Sequence, residues 1–116
     1  MENKICLGCV TPKHITDLPT MLKLRALLAT AKDCLNFLVY LSGVDSFTDR
    51  IKRLQCRRAL DETQELCQEI GITLDIRYDA ILPDIEKALD DVTKTKEILQ
   101  PHVQDIVLAM ASIEYK

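Results

Sequence analysis

Between Thr20 and Ser42 the chain reads TMLKLRALLATAKDCLNFLVYLS, its densest apolar stretch, and no residue in it breaks a helix. A helix of roughly 21–23 residues is about 32 Å long at 1.5 Å per residue, enough to cross a small domain, so one central helix is predicted here. In its first part Lys23, Arg25, Thr30, Lys32, Asp33 and Asn36 leave a solvated side, while Met21, Leu24, Leu28, Ala31 and Leu35 keep the spacing of a buried stripe. Beyond Asn36 the division ends. Phe37, Leu38, Val39, Tyr40 and Leu41 cover nearly every direction around the axis, and a helix apolar all round must be enclosed by neighbours or by a partner. The same length would suit a bilayer, but the charges at Lys23, Arg25, Lys32 and Asp33 leave only Cys34 to Val44 uncharged. That run falls short of the roughly 18 residues required, and no membrane span is expected.

Residues 1–19 read as a short irregular N-terminal segment. Ile5, Leu7 and Cys9 alternate weakly with Cys6, Gly8 and Val10, and Pro12 and Pro19 stop regular structure from running on. Thr16 or Asp17 is placed to cap the central helix, with Pro19 tolerated in its opening turn. Gly43 ends that helix and Asp45 or Ser46 caps a second one, about Ser46 to Ile70, which Gly71 closes. Its apolar residues Phe47, Ile51, Leu54, Leu60, Leu66 and Ile70 are expected near one side.

After Gly71 two periods compete. Ile72, Leu74, Ile76 and Tyr78 alternate as a strand would, yet Leu74, Tyr78, Ile81, Ile85 and Val92 keep a helical period. A lone strand would have only the weak pattern at residues 4–10 to pair with, so a long helix from about Thr73, kinked or divided at Pro83, is expected instead. Pro101 is expected to break or kink the chain again before a last apolar stripe, Val103, Ile106, Val107, Met110 and Ile113. A β-sandwich needs many turns, and only 3 Gly and 4 Pro are available. The fold class is therefore all-α, an antiparallel three- or four-helix bundle over residues 20–116 as one domain, long enough to bury a real core.

Charge supports a hairpin. Arg50, Lys52, Arg53, Arg57 and Arg58 fill the first half of the second helix, and Asp61, Glu62, Glu65 and Glu69 its second half, the reverse of what a helix dipole favours. If the next helix folds back after Gly71, facing residue numbers sum to about 147. That register brings Arg57 near Asp90, Arg50 near Glu97, Arg53 near Asp91, and Glu69 near Arg77 or Tyr78. Alternatively Arg50, Arg53 and Arg57 are spaced to bind phosphates. A net charge of −3 and the lack of aromatic residues beside those arginines argue against nucleic acid.

The five cysteines are an odd number, and no leader pattern is visible ahead of them, which points to free thiols in a reducing, cytoplasmic setting. Cys34, Cys56 and Cys67 read as small buried hydrophobes. Cys6-Leu7-Gly8-Cys9 followed by His14 is the one set with metal-ligand spacing. Two thiolates separated by two residues can grip Zn²⁺ with His14 as a third ligand, although a second ligand pair is missing. Glu62 and Glu65 form an ExxE, with Glu86 and Asp90 on the following helix, a set of acids that could surround Mg²⁺. This arrangement resembles, over a few residues, the all-α nucleotide pyrophosphohydrolases, which pair an ExxE on one helix with an ExxD on another. Here the second element is Glu86-x-x-x-Asp90, one residue longer, so the family is not adopted. No triad signature surrounds His14 or His102, and Gly8, Gly43 and Gly71 cannot form a phosphate loop. His102 is expected just past a helix end.

What remains is surplus apolar surface. The sequence is thus read as a protein–protein interaction or assembly module without catalytic activity or a required cofactor, self-association being its simplest form. The expected contact residues are Leu35, Leu38, Val39 and Leu41 near the end of the central helix, or Ile106, Met110 and Ile113 on the last stripe. The competing expectation is a metal-dependent enzyme or regulator using Cys6, Cys9 and His14, or the carboxylates.

Overall fold

The computed structural model describes residues 13–41, 45–90 and 94–115, without the side chains of residues 13, 14, 88–90 and 115. Within them the chain is an all-α bundle of four helices: α1 Leu18–Leu41, α2 Ser46–Ile70, α3 Tyr78–Asp90 and α4 Thr95–Ser112. Two short strands, β1 Lys13–Ile15 and β2 Ile113–Tyr115, are added at its ends. Among the described residues no helix is long and apolar enough to cross a membrane.

The central helix is where the unbroken apolar stretch places it. Asp17 caps it, its carboxylate accepting from the Thr20 amide at 3.1 Å and from the Thr20 hydroxyl, which leaves Pro19 in the first turn where no donor is needed. α1 packs against α2 on one side and α4 on the other, while α3 bridges α4 and α2. Met21, Leu24, Leu28, Ala31 and Leu35 are all buried, as the stripe requires. The α1–α2 pair is held by contacts whose numbers rise on one helix as they fall on the other. The Cys56 thiol donates to the Ala31 carbonyl at 3.7 Å, the Cys34 thiol to Gln55 Oε1 at 3.7 Å, and the Lys52 ammonium sits 5.4 Å from the centre of the Phe37 ring. Such an order is that of an antiparallel hairpin.

α2 begins at Asp45, whose Oδ1 accepts from the Phe47 amide at 3.1 Å and whose Oδ2 accepts from the Thr48 hydroxyl at 2.6 Å. These hydrogen bonds, the Thr48 hydroxyl first, hold the Asp45 carboxyl below its ordinary range. The helix ends at Gly71, whose φ of 75° is a left-handed backbone that a side chain would strain.

The expected helix from Thr73 does not form. Residues 72–77 run without regular structure, and Leu74 and Ile76, two apart, turn into the core. The alternating period therefore describes an irregular connection, turned back at one point where the Ile76 amide donates to the Leu74 carbonyl at 2.9 Å, and α3 begins only at Tyr78, with the Arg77 carbonyl accepting from the Ile81 amide at 2.9 Å. This resets the register. Arg53 meets Glu86 at 2.8 Å, and Arg77 pairs with Asp105 of α4 at 3.1 Å rather than with Glu69. Asp90's side chain and Asp91 lie outside the described residues.

Neither internal proline divides its helix. Pro83 is inside α3 and Pro101 inside α4, each in the second turn, where the ring costs one intrahelical hydrogen bond and the flanking turns continue. α3 is described to Asp90 and α4 from Thr95, and residues 91–93 lie outside the described residues. At the ends, β1 and β2 pair in parallel, with Lys13 opposite Ile113 and Ile15 opposite Tyr115. Residues 13–19 thus belong to the fold rather than to an irregular segment, because Ile15 and Ile113 are buried and Arg25 of α1 donates to the Ile113 carbonyl at 2.9 Å.

Candidate interaction surface

The contact residues expected from sequence separate into two groups. Leu35 and Leu38 are fully buried and Val39 nearly so, enclosed by the chain's own helices, as are Ile106 and Ile113, and Met110 is half-buried against the same core. Their apolar character is thus used within the fold. Only Leu41, at 49% exposure, is open.

Other large apolar side chains are open instead. Tyr40 joins Leu41 at the end of α1, and Phe47 (65%), Ile51 (37%) and Leu54 (58%) follow at the start of α2. Tyr40 and Leu41 close α1 and Phe47 lies in the first turn of α2, so the five residues belong to one end of the α1–α2 hairpin. The sequence stripe that joined Phe47, Ile51 and Leu54 to Leu60, Leu66 and Ile70 hides this split. Six residues separate Leu54 from Leu60, about 600° of helical rotation, which carries Leu60 roughly 120° away from Leu54's face. Leu60 shares its face with Cys56, Thr63 and Cys67, all buried. That phase jump was the available signal.

Beside this patch an open groove of about 360 Å³ runs between α1 and α2, with Leu27, Thr30 and Cys34 on one wall and Gln55, Arg58 and Glu62 on the other. Its thiol is not an activated one. Burial pushes Cys34 up despite the opposing charge of Lys52, and burial likewise raises Cys67 and takes Cys56 to about 12. Protonated thiols are weak nucleophiles and weak metal ligands at neutral pH. Burial also raises the Tyr78 phenol.

The arginine triplet is divided in use. Arg53 and Arg57 both approach Glu86, at 2.8 and 3.9 Å, tying α2 to α3. Arg50 is exposed and has no ion pair among the described residues. Glu86 is held by these arginines and Glu62 and Glu65 lie on the exposed side of α2, while the Asp90 side chain lies outside the described residues. Among the described residues no group of three or more His, Cys, Asp or Glu is placed to hold a metal ion. Cys6, Cys9 and the His14 side chain fall outside the described residues, and the backbone of His14 lies in β1.

His102 is not beyond a helix end. It lies inside α4, buried, and its Nε2 donates to Asp84 of α3 at 2.8 Å, while Nδ1 is buried without a partner. A carboxylate only accepts, which fixes the proton on Nε2 and makes the pair a clamp between α3 and α4. Compared with known proteins, the chain matches no family model, no curated protein and no solved structure.

Proposed function

We propose that this protein is a protein–protein interaction module without a catalytic centre, acting through the apolar end of the α1–α2 hairpin. One observation carries the proposal: Tyr40, Leu41, Phe47, Ile51 and Leu54 are all exposed at that end. Isolated apolar side chains are ordinary on a protein surface, whereas several large ones gathered on one surface mark a place where another molecule sits. Phe47, Ile51 and Leu54 also repeat at i, i+4 and i+7, the spacing by which one helix packs on another. Tyr40 is approached within the bundle by the Lys96 ammonium of α4, 5.6 Å from its ring centre, whereas Phe47, Ile51 and Leu54 stand outside the core, which closes over Cys56, Leu60 and Cys67 on the other side of α2.

The test compares the wild-type chain with a Phe47→Ser/Leu54→Ser variant. Light scattering after gel filtration, across a wide concentration range, reports self-association. Affinity capture from the source cells reports other partners. An oligomer or a retained polypeptide that the double substitution abolishes supports the proposal. A strict monomer that retains the same set of proteins with and without the substitutions overturns it. Calorimetric titration with Zn²⁺ and Mg²⁺ tests the metal-dependent alternative separately.

A further inference from the structure

We infer that the exposed stripe of α2 receives an amphipathic helix of a second protein whose apolar residues are flanked by carboxylates, an inference that rests on the interaction function proposed above. Helical positions advance by about 100° per residue, so Phe47, Ile51 and Leu54 fall within roughly 60° of one another on the side opposite the buried Cys56. The rim of this stripe is basic. Arg50 and Arg57 lie along one edge and Arg58 follows Leu54 on the same face. Among the described residues Arg50 and Arg58 have no ion pair, and Arg57 has only its 3.9 Å approach to Glu86. An apolar strip bordered by unneutralised cations is complementary to an apolar strip bordered by anions, and the charges select the partner and its register.

Two other occupants fit less well. A second copy of this chain, paired antiparallel about a two-fold axis, would place each edge against the same edge. Arg50 and Arg57 of one copy would then face Arg57 and Arg50 of the other, and like charges in apposition select against that pairing. A phosphate-rich surface, lipid or nucleic acid, meets the second half of the same face, where Asp61, Glu62, Glu65 and Glu69 are exposed and would be repelled. A helix avoids both conflicts by ending near Arg58 or by carrying cations at that end.

The test is selection of displayed helical peptides on the full wild-type chain. Apolar residues are fixed in the peptide at i, i+4 and i+7, the flanking positions are randomised, and the Phe47→Ser/Leu54→Ser chain serves for counter-selection. Asp and Glu are expected to dominate the flanking positions. A selected peptide should lose at least about tenfold in affinity on an Arg50→Glu/Arg58→Glu chain, and recover when its own carboxylates are replaced by lysine. Both substituted sites are exposed, and circular dichroism verifies that each variant keeps its helices. Selection of neutral or basic flanks, or binding indifferent to the arginine reversal, overturns the acidic-partner inference while leaving the interaction function standing. Failure to select any peptide that distinguishes the wild type from the stripe variant overturns both. Binding of the chain to phosphatidylserine vesicles through the stripe, or a dimer abolished by Leu54→Ser, overturns the inference in favour of the occupant detected.

Discussion

Leu38→Ala separates core from contact surface within the stretch of α1 that is apolar all round. Leu38 is fully buried by the chain itself. Truncation removes three carbons, worth about 2.4 kcal/mol at about 0.8 kcal/mol for each buried methylene. The surrounding helices relax only in part, so the remaining cavity raises the cost to about 3–5 kcal/mol. With a urea dependence of roughly 1.5 kcal/mol per molar, the unfolding midpoint should fall by about 2 M or more. The assay is urea unfolding followed by circular dichroism at two widely separated protein concentrations, with Leu54→Ala as the comparison. Leu54 is 58% exposed, so its truncation should change stability by no more than about 0.5 kcal/mol. The Leu38→Ala loss should be the same at both concentrations, because the packing it disrupts is intramolecular. A loss under about 1 kcal/mol, or one that appears only at high protein concentration, would refute the assignment of Leu38 to the core and return the end of α1 to the list of contact surfaces.

Three further predictions follow from the packing. Cys56 ionises near 9.0 when unfolded and about 12 when folded, so the folded chain holds its thiol proton more tightly; stability is intact below pH 9 and falls between pH 9 and 12 by up to about 4 kcal/mol. The upward shifts of Cys34, Cys67 and Tyr78 act in the same direction, and Cys56→Ala should flatten the slope of urea midpoint against pH in that range. Asp84→Ala leaves the buried Nε2 donor of His102 without its acceptor and should cost about 1–3 kcal/mol, with faster amide hydrogen exchange in α3. Gly71→Ala meets no neighbouring atom within 4 Å, so its cost is purely that of a left-handed backbone, about 1–2 kcal/mol in thermal or urea unfolding.

Much of the bundle is legible along the chain because local chemistry decides it. The unbroken run from Thr20, the caps at Asp17 and Asp45, and the left-handed stop at Gly71 depend on neighbours a few residues away, and α1 and α2 form where those signals lie. The burial of Met21, Leu24, Leu28, Ala31 and Leu35 follows from spacing alone. The irregular segment before α3 was half legible: the alternation at Leu74 and Ile76 was present, but a helical period overlay it, and only packing against the core resolves two periods in one sequence.

What tertiary structure alone decided is which apolar residues are spare. Leu38 and Leu54 are equally apolar, and their burial differs because Leu38 lies on the helix that α2 and α4 both pack against, whereas Leu54 lies on the side of α2 turned away from the core. The pairing of Ile15 with Tyr115 and of His102 with Asp84 likewise joins residues far apart in the chain, where no periodicity connects them. Sequence determines that a helix has an apolar face, since side-chain chemistry and the 3.6-residue turn are local. Whether that face is covered depends on the path of the rest of the chain. Here that path covers Leu35, Leu38 and Val39 of α1 and leaves Leu41 and the start of α2 open.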